Sequence, residues 1–124
     1  MSVAILRQGD YLIASIQVDL SDSQVLELRD DLSDRIGQSR ARGLIIDVAA
    51  LAVIDSFVAR SLGSIAITAR LRGAETVITG IEPDVAIAMV QFDLDLAPLR
   101  TALDLDEALS LLDRLTQGVG EDGA

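Results

Sequence analysis

The chain reads as a single α/β domain built on a mixed, mostly parallel sheet of four to five strands with about four helices and an opening β-hairpin. Three observations carry that reading. Leu44–Ile45–Ile46 is an apolar run without alternation, set between Gly43 and Asp47, as in a strand buried on both faces. Strand-like segments alternate with segments of helical period after the hairpin, which implies a parallel centre. The 124 residues suit one core, and half of them are hydrophobic.

Taken in order, Val3–Leu6 and Tyr11–Ile16 are strand-like runs joined by Gln8–Gly9–Asp10, which has turn chemistry. Ser21 and Gln24 match an S-x-x-Q capping box. Val25, Leu28, Leu32 and Ile36 then recur at helical spacing, with acids on the other faces, so a surface helix is expected from about Asp22 to Ser39. Gly43 opens the central strand. Asp55 offers a cap to a helix carrying Val58, Leu62, Ile65 and Ala69 on one face, closed by Arg70, Arg72 and Gly73. Glu75–Thr79 is a further strand, and Pro83 starts a mostly apolar helix running to Phe92. A short edge strand is expected at Ala97–Thr101, where Pro98 is tolerated. Asp104 and Glu107 open a last helix with a stripe of Leu105, Ala108, Leu109, Leu112 and Leu115. Residues 1–117 form the domain, and the Gly-rich, acidic residues 118–124 are expected to form a flexible tail.

Composition excludes several functions. Twenty acidic against ten basic side chains give a net charge of −10, which argues against nucleic-acid and acidic-membrane partners. Without Cys there are no disulfides or thiolate metal sites. Without His, the commonest general base and zinc ligand are missing. No phosphate cradle, nucleophile elbow or D-x-D-x-D-G calcium loop is present. The acids fall mainly on solvent-facing helix positions, a solvated surface rather than a catalytic pair. The expectation is a protein that is not an enzyme, with no cofactor and no metal. No basic n-region with an apolar h-region opens the chain, and no apolar run reaches the roughly 20 residues that span a bilayer, so a cytoplasmic protein is expected.

The corner at Asp55–Ser56 is where the chemistry collects, because it starts a helix at the carboxyl end of a central strand. Two readings fit Ser56. It is an ordinary early-turn residue after a capping Asp, or it is a hydroxyl that another protein's kinase phosphorylates. A phosphate there would meet unpaired backbone N–H groups and the positive end of the helix dipole, with the Asp55 carboxylate opposing it. Phe57 is read as core filler before partner anchor, and Arg60, one turn on, as solvated before partner contact. Ser61 and Ser64 are weaker phosphorylation candidates, being deeper in the helix.

At this point the chain resembles a known family. Leu44–Asp47, Val53–Arg60, Leu71–Glu75, Val77–Ile81 and Pro83 with Val85–Ala86 are similar to STAS domains, the sulfate-transporter and anti-sigma-antagonist family. Within it, Leu12–Gln17 and Thr101–Leu105 are also similar to the single-domain scaffold type of the bacterial stressosome, and the likeness runs from Ile5 to about Leu115. The resemblance implies a non-enzymatic scaffold that co-assembles with sensor paralogues bearing their own STAS domain, in a large oligomer. It implies that the core holds a serine switch kinase and frees it when Ser56 is phosphorylated, with Asp55, Phe57 and Arg60 flanking the docking site. ATP and Mg²⁺ would belong to the kinase, and a phosphatase would reset the switch. Two alternatives stay open: a simple anti-sigma-factor antagonist acting outside a large assembly, and a nucleotide- or lipid-binding STAS module of a membrane transporter.

Overall fold

In the computed structural model, which describes residues 3–51, 54–81 and 100–122, the strands lie side by side in chain order. They are β1 (Val3–Gln8), β2 (Tyr11–Ile16), β3 (Gly43–Asp47), β4 (Glu75–Thr79) and β5 (Arg100–Ala102). β1 and β2 form the expected hairpin, with Gln8 opposite Tyr11 and Gly9 in the turn at φ +61°. Every later neighbour is parallel, with Leu12 beside Leu44, Leu44 beside Thr76, and Val77 beside Arg100. The sheet is therefore mixed with a parallel centre, as the alternation of segments predicts.

Three helices are described: α1 (Asp22–Ser39), α2 (Ser56–Leu71) and α3 (Leu105–Asp122). The helix expected from Pro83 to Phe92, and residues 97–99 of the expected edge strand, lie outside the described residues. α1 begins with the capping box read from the sequence: the Gln24 N–H donates to Ser21 Oγ at 3.3 Å, and the Ser21 N–H donates to Gln24 Oε1 at 2.9 Å. α3 includes Gly118–Asp122, the first five residues of the stretch read as a tail.

Side chains alternate across each strand, so the sheet has two dressed faces. Leu12, Ala14, Ile16, Leu44, Ile46 and Ile78 pack under α1 and α2, against Leu28, Leu32, Ile36, Leu62, Ile65 and Ala69. Tyr11, Ile13, Ile45, Val77 and Ala102 meet Ala108 and Leu112 of α3 on the other face. β3 is buried on both faces, which is why its sequence shows no alternation. Leu105 departs from the expected stripe: as the first residue of α3 it is 41% exposed. Val58 is only half-buried, because a void lies beside it.

α3 is also tied to the sheet by polar groups at the amino ends of the parallel strands. The Tyr11 hydroxyl donates to Asp113 Oδ1 and lies 3.2 Å from Thr116 Oγ1. Arg42 Nη2 donates to the Thr116 carbonyl at 2.8 Å. Burial, and next the bond to Asp113, raise the Tyr11 phenol above its ordinary value. A group whose folded value is raised contributes stability below the unfolded value, about 10 for Tyr, and loses it as pH rises through the folded one. Tyr11→Phe is therefore expected to cost about 1–2 kcal/mol at neutral pH and to flatten the alkaline loss of stability. Urea unfolding of both proteins at neutral and alkaline pH checks this, and parallel pH profiles would place the alkaline loss elsewhere.

Candidate functional site

The site is assembled where β3 hands the chain to α2. β3 ends at Asp47, whose Oδ1 accepts the Ala49 N–H at 2.9 Å and turns the chain out of the sheet. The Val48 N–H donates to the Thr79 carbonyl at 3.0 Å, and the Leu51 N–H to the Val48 carbonyl at 3.0 Å. This connection rests on Gly80, which follows β4 with φ +86°. A Cβ at Gly80 would fall 2.6 Å from the Ala49 Cβ and 2.7 Å from the Ala49 backbone nitrogen. Only glycine permits so close an approach with that backbone.

Asp55 then caps α2 as its sequence predicts. Its backbone is extended (φ −83°, ψ 179°), and its Oδ1 accepts the Val58 N–H at 2.8 Å. The Asp55 carbonyl accepts the first helical N–H, from Ala59, at 3.0 Å. Ser56 is thus the first helical residue, and its side chain is exposed. The helix itself gives the N–H groups of Ser56 and Phe57 no intrahelical partner, so the corner combines a solvent-facing hydroxyl, two donors the helix does not use and the positive dipole end.

The other residues singled out by sequence fall around this corner. Asp55 and Arg60 are exposed, and Phe57 is half-buried. Arg60 follows Ser56 by four residues and so shares its side of the helix. Ser61 and Ser64 are half-buried further along, which leaves Ser56 the most accessible of the three hydroxyls. What the corner can do chemically is present a hydroxyl: among the described residues no group of three His, Cys, Asp or Glu converges to hold a metal. Among the same residues no helix is long and apolar enough to cross a membrane.

Sequence reasoning missed a cavity of about 240 Å³ between α1 and α2, lined among others by Asp19, Leu51, Asp55 and Val58. It adjoins the Ser56 corner through Asp55. No sequence signal marks it, because a void depends on how two helices cross.

Comparison with known proteins agrees with the geometry. An RsbS variant from Moorella thermoacetica superposes with a TM-score of 0.80 at 38% identity, covering 94% of this chain and 99% of that one. A chain of the stressosome, described as a signal integration and transduction hub, gives a TM-score of 0.72 at 36% identity over 90% of this chain and 97% of its own. The RsbT co-antagonist protein RsbRD of Bacillus subtilis is 31% identical over 67 residues, 54% of this chain and 24% of RsbRD. The chain thus spans about a quarter of that relative's length. The family model for the STAS domain matches residues 2–108. With the five-stranded sheet in chain order and the capped α2 corner, this makes the chain a member of the STAS domain family.

Proposed function

We propose that this chain is a non-enzymatic scaffold of the stressosome type, an antagonist that holds a serine switch kinase and releases it when Ser56 is phosphorylated. The observation that carries this reading is the exposed Ser56 hydroxyl at the first position of α2. The likeness to RsbS and to a stressosome chain over nearly the whole length supports assembly with sensor paralogues bearing STAS domains, in a large particle. The likeness of part of the chain to an RsbT co-antagonist supports the role of antagonist; that the partner held is a kinase follows from the reading of Ser56 as phosphoacceptor. ATP, Mg²⁺ and the catalytic base come from that kinase, and a phosphatase restores the hydroxyl. The protein works in the cytoplasm.

Phosphorylation changes the corner in a definite way. It adds a charge of about −1.5 to −2 beside the Asp55 carboxylate. The two N–H groups that the helix does not use and the helix dipole make the phosphate tolerable to the fold. Its effect then falls on what docks there. Incubation with the switch kinase and Mg²⁺-ATP, followed by phosphosite mapping, is expected to put the label on Ser56. Label confined to Ser61 or Ser64 would overturn the assignment.

A further inference from the structure

The cavity between α1 and α2 has a shape and chemistry that the phosphoserine switch leaves unused. Ile16, Val25, Leu28, Leu62 and Ile65, all buried, form its apolar walls. Among the described lining residues two are exposed, Asp19 on the β2–α1 connection and Asp55 at the cap of α2, and they mark the open side. No cation lines it. At about 240 Å³ it is smaller than the roughly 300–1,000 Å³ typical of small-molecule sites, and its acidic mouth repels phosphates and carboxylates. What suits it is an apolar side chain delivered by a partner with a basic residue beside it. Val18, next to Asp19 in sequence, is an exposed apolar side chain.

We propose that this cavity is the anchor site for the switch kinase: an uncharged apolar side chain of the kinase seats between α1 and α2, with a neighbouring cation facing Asp19. The inference rests on the reading of Ser56 as phosphoacceptor and supplies the release step. Asp55 both lines the cavity and caps the helix that Ser56 begins, so a chain entering the mouth beside Asp55 is one residue in sequence from Ser56. A phosphate on the Ser56 oxygen adds a hydrated charge of about −1.5 to −2 next to Asp55, which lines the apolar seat. Its desolvation, and its repulsion with Asp55, then expel the anchor.

Val58→Phe fills the cavity from the α2 wall, and Val25→Leu fills it less, from α1. With the thermal midpoint unchanged or raised, Val58→Phe is expected to weaken kinase capture at least tenfold, and Val25→Leu by a smaller factor. Asp19→Asn is expected to reduce the salt dependence of capture. If Val58→Phe does not fold, Val25→Leu and Asp19→Asn decide. Folded filling variants that capture the kinase with wild-type affinity would overturn the anchor while leaving the Ser56 switch intact, since saturating kinase would still label Ser56. Wild-type protein that captures the kinase through this cavity but takes no label on Ser56 would instead sink the switch. A small apolar molecule retained by the wild type in native mass spectrometry and lost in Val58→Phe, with kinase capture unchanged, would also overturn the anchor.

Discussion

Gly80→Ala is expected to lower the free energy of unfolding by about 2–6 kcal/mol, from a backbone term of about 1–3 and an overpacking term of similar size. A small domain has about 5–15 kcal/mol in total, so much of the protein's stability would be lost through one methyl group. The reason is local. At φ +86° an L side chain is strained, and the added Cβ would sit 2.6 Å from the Ala49 Cβ and 2.8 Å from the Ala49 Cα. Neither group is the free end of a flexible side chain, so the β3–α2 connection itself must shift. Gly73 is the control: its φ is +91°, yet nothing lies within 4 Å of the position its Cβ would take. Gly73→Ala should therefore lose only the backbone term, about 1–3 kcal/mol. Urea unfolding of the two variants separates the effects, and equal losses would refute the close-approach argument. Because the displaced connection delivers Asp55 and Ser56, Gly80→Ala should also slow phosphorylation by the kinase under conditions where the variant is still folded.

Ser56→Ala is expected to abolish phosphate incorporation and leave the kinase bound, with a change in stability within about 0.5 kcal/mol. The fold should not notice, since the α2 cap comes from Asp55 and the Ser56 side chain is exposed. Ser56→Asp carries a single negative charge where phosphate would carry about two, so it should mimic release only in part. A tenfold weaker kinase affinity, about 1.4 kcal/mol, is the expected size. Binding by calorimetry at two salt concentrations is the check. Affinity identical to the wild type at both would mean that charge at this position does not control docking.

How far these features can be read from sequence depends on how far apart the interacting residues lie. The α1 cap is legible because Ser21 and Gln24 are three residues apart and satisfy each other. The α2 cap is legible too, since Asp55 accepts the N–H of Val58 only three residues on. β3 is legible because burial on both faces leaves an unbroken apolar run. Gly80 reads as a strand boundary in sequence, but its reason is contact with Ala49, which only the pairing of β3 and β4 brings near. The Tyr11–Asp113 bond joins residues 102 positions apart, and no local pattern foretells it. The cavity beside Asp55 arises from the crossing of α1 and α2, so Val58 reads as core and emerges half-buried on its wall.

The strand order has a consequence for how the molecule is made. Since β1 to β5 stand in space as they stand in the chain, each strand leaving the ribosome can join the rim of what has already formed. Among the described strands none has to be threaded between two earlier ones, so the Ser56 corner can take shape before α3 has been translated.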